Sequence, residues 1–223
     1  MMLINPYRFA AAGDPYFANV VLLLHGDGAD GSTTITDSSG NAFSVTAIGN
    51  AQIDTAQSVW GGASIILDGS GDGLSIPHDT DFNFGTGNFT IEFWARWNSK
   101  ANYQQIYAMG SGAGSLAIST GDSNGLFKVT IGGGVNTTEA GAQPNTGQWY
   151  FYQFIRTSGV VKIYRDGVER ASGTNSGSIS QTATIYLGRN TGGGSVFNGW
   201  VDDLRISNIA RTPGIPTAAF PNA

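Results

Sequence analysis

The stretch Gly87-Asn88-Phe89-Thr90-Ile91-Glu92-Phe93-Trp94-Ala95-Arg96-Trp97 contains the clearest structural signal in the sequence. Alternate side chains from Phe89 to Trp97 are all apolar. The residues between them are mixed: Thr90, Glu92, Trp94 and Arg96. A period of two is typical of a β-strand, because successive side chains point to opposite faces of the sheet. The pattern predicts a strand with one face in a core and the other on a groove or in solvent. Trp94 is therefore the first candidate for contact with a ligand.

Strand-like segments occupy most of the remaining chain. They cover residues 19–25, 33–36, 42–48, 63–67, 74–77, 103–109, 115–119, 125–131, 148–157, 160–165, 168–170, 184–188 and 197–207. Asp166-Gly167 joins two of them, and this dipeptide suits the two positive-φ positions of a type I′ hairpin turn. No window has a sustained apolar period near 3.6 residues, as a helix would require. Short strands with Gly-rich turns and no interleaved helices predict an all-β, two-sheet antiparallel sandwich.

The sequence indicates one domain with a segment at each end. Residues 19–212 contain the strand-like segments without an internal linker, and 223 residues suit a single β-sandwich. Residues 1–18 contain two prolines and no sustained period, so we predict an extended N-terminal arm, and residues 213–223 form a C-terminal tail. The arm has four aromatic residues that would anchor it on a partner: Tyr7, Phe9, Tyr16 and Phe17. The alternative is an arm that folds back on its own domain.

The composition excludes several classes of function. The net charge is −5 and no three basic residues occur in succession, which argues against nucleic acid because phosphate recognition needs a basic patch. No apolar run approaches the roughly 20 residues that span a membrane, and no signal-peptide pattern is present. Cysteine is absent, which excludes disulfides and thiolate metal sites. These features suit a protein made in a host cytoplasm that leaves by lysis, such as a virion component.

Six short motifs occur in an informative order. They are Asp37-Ser38-Ser39-Gly40-Asn41, Leu67-Asp68-Gly69 with Asp72, Phe89-Thr90-Ile91-Glu92-Phe93-Trp94, Gln148-Trp149, Ile163-Tyr164-Arg165-Asp166-Gly167 and the run 197–207. In this order they resemble the laminin-G-like, concanavalin-A-like jelly-roll family over about residues 19–210. The resemblance implies a jelly roll that binds glycans or protein partners and less often catalyses a reaction. The opening Ile4-Asn5-Pro6-Tyr7-Arg8-Phe9-Ala10 is also similar to the start of many phage tail and virion proteins.

The acidic residues do not form a hydrolase pattern. Glycoside hydrolysis uses two carboxyl groups that flank the scissile bond. The resemblance implies that these would lie two to four residues apart on one strand, but no glutamate has an acidic residue at +2 or +4. The glutamates are Glu92, Glu139 and Glu169. The two histidines, His25 and His78, show no recognisable Ser/His/Asp order. We therefore predict no catalytic residues and no enzyme, with a glycoside hydrolase as a remote alternative.

Aspartate-rich loops make calcium the one metal to consider, because it prefers carboxylate and carbonyl oxygens. The candidate donors are Asp27, Asp30, Asp37, Asp68, Asp72, Asp202 and Asp203, of which Asp37, Asp68, Asp72 and Asp203 form the preferred set. The alternative is that Asp37 and Asp68 form Asx-turns, since each precedes Ser or Gly. Asp202 shares a predicted strand face with apolar residues, which favours a buried carboxylate paired with loop amides. Apart from this candidate calcium site, we predict no cofactor.

Carbohydrate binding would require aromatic platforms beside amide side chains. The candidates for the platforms are Trp94, Tyr103, Tyr107 and Trp200, and those for the amides are Asn102, Gln104, Gln105 and Asn198. The Gly-rich loops 110–114, 132–134 and 192–194 would form the rims of a site or simple tight turns. The competing interpretation places these aromatic residues in the core, because most Trp and Tyr in such a β-protein are packed there.

Our first hypothesis is a non-enzymatic, virion-associated module, in a phage tail, a fibre or the decoration of a capsid, with a glycan-recognition role. Its partners would be other virion proteins, bound through the arm, and a cell-surface glycan, without nucleic acid or membrane. A homo-oligomer is expected, because components of particles are often symmetric. The alternative is a free lectin-like carbohydrate-binding protein.

Overall fold

The computed structural model describes residues 13–100, 103–121 and 124–223 of the chain. The strands are β1 (Val20–Leu24), β2 (Thr46–Ile48), β3 (Gln52–Asp54), β4 (Ser64–Asp68), β5 (Gly73–Ile76), β6 (Phe89–Trp97), β7 (Gln105–Met109), β8 (Leu116–Thr120), β9 (Phe127–Ile131), β10 (Val135–Thr138), β11 (Trp149–Thr157), β12 (Val160–Arg165), β13 (Val168–Thr174), β14 (Ile185–Leu187) and β15 (Asn198–Ser207). Two 3-10 turns cover Phe17–Asn19 and Thr80–Phe82. Within these ranges the chain forms no helix with the length and apolarity that a membrane crossing requires.

The described strands form two antiparallel sheets that face each other. The eight-stranded sheet has the order β13-β12-β11-β6-β15-β4-β3, with β1 also paired to β15. The seven-stranded sheet has the order β10-β9-β8-β7-β14-β5-β2. Side chains from both sheets meet in one main core, where the rings of Trp97 on β6 and Phe127 on β9 lie 5.3 Å apart. The predicted all-β, two-sheet antiparallel sandwich is confirmed.

The inner face of β6 is the apolar series of the opening stretch. Its five alternate residues from Phe89 to Trp97 are each 0% exposed. Burial of a large apolar side chain stabilises a fold by about 1.5–3 kcal/mol, so this one strand supplies a substantial part of the core. The turn between β12 and β13 also forms as predicted, because Asp166 and Gly167 have φ values of 51° and 73°.

β15 changes partner along one of its edges. It pairs with β4 through Asn198–Val201 and with β1 through Leu204–Ser207, while β6 follows its other edge. A β-bulge separates the two parts, and Asp203 has a positive φ of 48° there. The extra residue shifts the alternation, so Val201 and Leu204 both reach the core while Asp202 turns outward beside Trp94.

The outer face of the eight-stranded sheet is buried under the two ends of the described chain. Glu92 accepts a hydrogen bond from Arg205 Nε at 2.8 Å and one from Gln153 Nε2 at 2.9 Å. Asp14, from the N-terminal side, accepts from Arg205 Nη1 at 3.0 Å. Phe220, from the C-terminal tail, packs on the Arg205 guanidinium, with 3.7 Å from Cζ to the ring centroid. The expected open face of β6 is therefore covered in its central part.

Residues 13–18 are attached to the domain and to the tail. Asp14 N donates to Ala223 O at 2.7 Å, which joins the two segments directly. Phe17 packs against a small apolar cluster of Val20, Leu23, Phe151 and Phe220. This part of the predicted arm thus follows the folded-back alternative.

Candidate functional site

Tyr103 is the exposed aromatic residue at the centre of the candidate site. It lies two residues before β7 and is 37% exposed. Its hydroxyl group donates to Ser119 Oγ at 2.7 Å, which fixes the direction of the ring. Lys128 Nζ lies 5.2 Å from the ring centroid, within the range of a cation–π contact. The ring is therefore held in place beside a positive charge.

The outer face of the seven-stranded sheet forms the floor beside this ring. Strand pairing aligns one row of outward side chains across the sheet: Asn136, Thr130, Ala117, Ala108, Tyr186, Ser75 and Thr46. Small residues thus separate Thr130 from Tyr186 over three strand spacings, which is about 14 Å at roughly 4.8 Å per strand. A second row aligns Lys128, Ser119 and Gln105. The floor is shallow in the middle and has polar side chains around it.

A groove of about 390 Å³ lies over this floor, and we call it the Tyr103 groove. Its lining side chains include Tyr103, Gln105, Ala108, Ala117, Lys128, Thr130 and Asn136, and its rim is formed by Gly110, Gly133 and 190–192. A second cavity of about 260 Å³ lies on the other side of Tyr103, lined in part by Gln104, Ser195 and Asn198. Tyr103 borders both spaces, so one ring separates two neighbouring polar depressions.

The rim of the groove combines glycine turns with a fixed amide. Gly110 and Gly133 have φ values of 66° and 75°, which glycine adopts without strain. Asn190 Nδ2 donates to Ser195 Oγ at 3.1 Å, and its Oδ1 accepts from Gly194 N at 2.8 Å. Each of the three predicted Gly-rich loops contributes a residue to this rim.

The sequence did not reveal the groove residue Lys128 or Tyr186, which lies on the same outer face of the sheet. Each is the outward residue of a strand whose neighbours face the core: Phe127 and Val129 for Lys128, Ile185 and Leu187 for Tyr186. The alternation of β9 and β14 contained this signal. The alternation alone could not assign these residues to a site, because only the strand pairing places both of them on the face next to Tyr103.

Trp94 is not an open platform. It is half-buried, its ring centroid is 5.2 Å from that of Phe151, and it packs against the small apolar cluster under the tail. Its indole nitrogen is buried without a hydrogen-bond partner. The predicted outward direction is correct, but the face on which Trp94 lies is occupied by the protein's own chain.

Tyr107 is a core residue, which corrects its assignment as a ligand platform. It is 1% exposed, and burial raises the pKa of its hydroxyl group well above the usual value for tyrosine. A bulge between Gln105 and Tyr107 sets the direction of the ring, since it pairs Tyr107 with the inward-facing Ile118. Tyr107 therefore cannot offer a ring face to a sugar.

Trp200 is half-buried on the outer face of the eight-stranded sheet, away from Tyr103. Its Nε1 donates to Asp54 Oδ2 at 2.5 Å, and Arg96 Cζ lies 4.9 Å from the ring centroid. Of the predicted amides, Gln104, Gln105 and Asn198 line the cavities beside Tyr103, whereas Asn102 lies outside the described residues. The structure thus brings Tyr103 together with amides and separates it from Trp94, Tyr107 and Trp200.

The predicted anchoring residues fall into two groups. Tyr7 and Phe9 lie outside the described residues. Phe17 packs against the apolar cluster and is not free to anchor a partner, while Tyr16 is 55% exposed. Tyr16 is therefore the one predicted anchor that the described part of the chain presents to solvent.

The predicted calcium donors act instead as acceptors for backbone and side-chain donors. Asp37 accepts from Leu23 N, Ser39 N and Phe43 N. Asp68 accepts from Ser70 N, and Asp72 accepts from Asn50 N and Asp68 N. No group of three or more acidic or histidine side chains in the described ranges is arranged to hold a metal ion. Asp37 and Asp68 make the Asx-type contacts that were the alternative.

Asp203 belongs to a hydrogen-bonded chain that holds the tail. Its Oδ1 lies 2.7 Å from His25 Nδ1, and its Oδ2 accepts from Phe220 N at 2.8 Å. His25 Nε2 lies 2.7 Å from Asn222 Oδ1. The bond to Asp203 raises the pKa of His25, since the carboxylate favours the imidazolium form. These contacts attach the end of the chain to the bulge in β15.

The glutamates are paired with cations. Glu92 contacts Arg205 Nη2 at 2.7 Å, Glu139 contacts Arg165 Nη1 at 3.1 Å, and Glu169 contacts Lys162 Nζ at 2.8 Å. Neither Glu92 nor Glu139 is more than 3% exposed, so these two carboxyl groups are almost entirely withdrawn from solvent. The described residues that line the two cavities beside Tyr103 include no carboxylate.

Comparison with known structures reveals the same fold in binding domains of toxins. The binding domain of Paraclostridial mosquitocidal protein 1 is similar with a TM-score of 0.69 and 17% identity, covering 88% of this chain and 50% of that chain. The binding domain of botulinum neurotoxin DC in complex with SialylT gives a TM-score of 0.64 and 18% identity, over 88% and 49%. The same domain in complex with rat synaptotagmin II gives 0.65 and 17%, over 88% and 50%.

These likenesses show the fold, because the identities are low and this chain spans about half the length of each of those domains. No curated protein sequence matches the chain. None of the similar structures named above is a virion component, so a virion role and an oligomeric state stay predictions. The family model Laminin_G_3, which describes the Concanavalin A-like lectin/glucanases superfamily, matches residues 68–214. That match extends over more than half of the sequence, and the chain therefore belongs to the Concanavalin A-like lectin/glucanases superfamily.

Proposed function

We propose that this protein is a lectin-like carbohydrate-binding module whose sugar site is the Tyr103 groove. The observation that supports the proposal most directly is the oriented, exposed ring of Tyr103 between two polar cavities. This is the free-lectin alternative of the sequence analysis. The similar toxin domain that is in complex with SialylT adds support at the level of the fold.

The chemistry of the groove suits a saccharide. A sugar ring has one face of C–H groups, which packs on an aromatic face, and an edge of hydroxyl groups, which needs hydrogen-bond partners. Tyr103 offers the aromatic face, and Gln105, Asn136 and Thr130 offer amide and hydroxyl groups around the floor. A few polar groups placed around an apolar contact surface are typical of small-molecule sites.

Binding without hydrolysis is the form of this function that the groove favours. Hydrolysis of a glycosidic bond requires two carboxyl groups on either side of that bond. The described lining of both cavities beside Tyr103 has amides, hydroxyl groups and one lysine in place of such a pair. The glutamates are meanwhile committed to arginine and lysine partners.

A glycan array tests this proposal, with the purified chain and the variant Tyr103→Ala. We expect the wild type to bind a defined set of glycans, and we expect the variant to lose at least about tenfold in affinity, since an aromatic contact of this kind stabilises by about 0.5–1.5 kcal/mol beyond its buried area. Ala117→Gln should weaken binding as well, because it fills the floor without removing a contact.

Tyr16→Ala is the matched control, since Tyr16 is an exposed tyrosine that lines a cavity with Arg205 of the other sheet. It should bind like the wild type. If no glycan on the array binds the wild-type protein, or if Tyr103→Ala and Ala117→Gln both bind as well as Tyr16→Ala does, the groove is not a carbohydrate site.

A further inference from the structure

Lys128 has no polar partner among the described residues, which distinguishes it from most other cations of this part of the chain. Elsewhere in the described ranges, lysines and arginines donate to carboxylate or carbonyl oxygens, as Lys162 does to Glu169 and Arg189 to Gly71 O. Lys128 and Arg96 make neither contact, and each lies over an aromatic ring. An ammonium group without an oxygen partner keeps all three of its N–H donors available to a ligand or to water.

The surroundings of these two cations are different. Arg96 lies over Trp200, and the indole of Trp200 donates to Asp54, so a carboxylate is close to that cation. Lys128 lies on the outer face of β9 between the uncharged residues Ser119 and Thr138. Among the described residues that line the Tyr103 groove, Lys128 is the one charged side chain. In a protein with a net charge of −5, the described lining of this groove has one positive charge and no negative one.

We propose that the Tyr103 groove selects saccharides that have an acidic group, with the sugar ring on Tyr103 and the anion on the Lys128 ammonium group. This inference rests on the proposed carbohydrate-binding function and names its ligand class. The 5.2 Å between Nζ and the ring centroid places both contacts within the span of a single acidic monosaccharide unit. A neutral sugar in the same position would leave the ammonium group without an anionic partner.

Both a carboxylate and a sulfate satisfy this chemistry. Lysine presents a compact point charge, whereas arginine presents a planar fork that favours bidentate pairing with a carboxylate. A lysine in the groove therefore selects the charge of the ligand and not the planar geometry of its acidic group. We expect carboxylated and sulfated sugars to bind with similar preference over their neutral parents.

The experiment uses the whole chain with three matched probes: lactose, sialyllactose and lactose sulfated on galactose. We expect both acidic probes to bind at least about tenfold more tightly than lactose, as a charge-assisted hydrogen bond contributes roughly twice as much as a neutral one. Lys128→Gln should abolish the preference, so that this variant binds the acidic probes and lactose with equal affinity. Raised salt should reduce the acidic preference of the wild type, since the contact is partly exposed.

Lys162→Gln is the matched control, because it removes one positive charge from the other sheet, where Lys162 pairs with Glu169 at the surface. It should keep the acidic preference. Equal binding of the neutral and acidic probes by the wild type, or an acidic preference that survives in Lys128→Gln, would overturn the inference while leaving carbohydrate binding intact. If the wild type binds none of the three probes and no other glycan on the array, the proposed function itself is wrong.

Discussion

Asp202 is a buried carboxylate whose two oxygen atoms have unequal surroundings. Oδ2 accepts from Val59 N at 2.6 Å and Trp60 N at 3.1 Å, whereas Oδ1 is buried without a hydrogen-bond partner. Burial raises the pKa of Asp202 to about 7, and the negative charges of Asp203 and Asp27 act in the same direction. The two amide donors favour the carboxylate but do not offset the loss of water.

This raised pKa gives the stability of the protein a defined dependence on pH. An unfolded aspartate titrates near pH 3.9, so between about pH 4 and pH 7 the folded state retains a proton that the unfolded state has lost. The stability from Asp202 is therefore fully present below about pH 4 and declines as pH rises through about 7. The raised pKa of His25 acts with the same sign, its contribution being lost as pH rises through its folded value.

The variant Asp202→Asn tests this dependence. The asparagine oxygen can accept from the same two backbone amides. Replacing the carboxylate with a neutral amide removes the buried negative charge. We expect the free energy of unfolding at pH 8 to rise by about 1–3 kcal/mol, which is the usual cost of an unsatisfied buried polar group. At pH 4, where the stability from Asp202 is nearly complete, the variant and the wild type should differ little. Denaturant unfolding at both pH values measures this. A pH slope equal to that of the wild type, or to that of the exposed-site variant Asp30→Asn, would contradict the assignment.

The sequence predicted side-chain direction where a strand is regular and failed where a β-bulge shifts the alternation. Asp202 was expected to pair with loop amides, and it does, but on the outer face, because the bulge beside it shifts the alternation by one residue. Tyr107 turned inward for the same reason, since a bulge precedes it in β7. Trp94 points outward as predicted, and the residues that cover it lie more than 50 positions away in the sequence. The alternation of side chains within one strand determines which face of the sheet each side chain lies on. Whether that face is covered depends on contacts with residues that are distant in the sequence.

The C-terminal tail is the element that buries the outer face of the eight-stranded sheet. Phe220 is 7% exposed, packs with Phe151 at 6.3 Å between ring centroids, and stacks on Arg205. Its backbone N–H donates to Asp203 beside the bulge, and Gly214 N donates to Gln153 Oε1 at 2.9 Å. The tail has no regular period, so its docking could not be read from the sequence, whereas β6, β11 and the Asp166-Gly167 turn could.

We predict that Phe220→Ala destabilises the protein by about 3 kcal/mol, at the lower end for loss of a buried phenylalanine, because the cluster lies at the surface and can partly collapse. Chemical denaturation measures the change. Ile215→Ala in the same tail is the control, since Ile215 is 48% exposed and its truncation should cost less than about 0.5 kcal/mol. Equal effects of the two substitutions would mean that the tail is not held through Phe220.

At the scale of the whole molecule, the chain ends cover the outer face of one sheet, and the proposed binding groove lies on the outer face of the other. Both ends of the described chain pack on the eight-stranded sheet, through Asp14 and Phe220. The Tyr103 groove lies on the seven-stranded sheet, and none of its described lining residues belongs to either end. The sequence indicated the sandwich and named Tyr103, but it could not show which aromatic residue stays open. That outcome depends on which face the chain ends cover.

This division predicts that Phe220→Ala weakens the fold without weakening the groove. For any glycan that the array identifies, we expect the affinity of folded Phe220→Ala to lie within about twofold of the wild type, because distant sites without shared contacts behave independently. Ligand at about 100 times its Kd should stabilise both proteins by about 2.7 kcal/mol, since binding to the folded state alone shifts the unfolding equilibrium by mass action. Calorimetric titration at 25 °C and thermal unfolding with and without glycan measure the two quantities. A large loss of affinity in Phe220→Ala would show instead that the cover on one sheet shapes the groove on the other. The sandwich would then act as a single coupled unit in which the tail is part of the binding machinery.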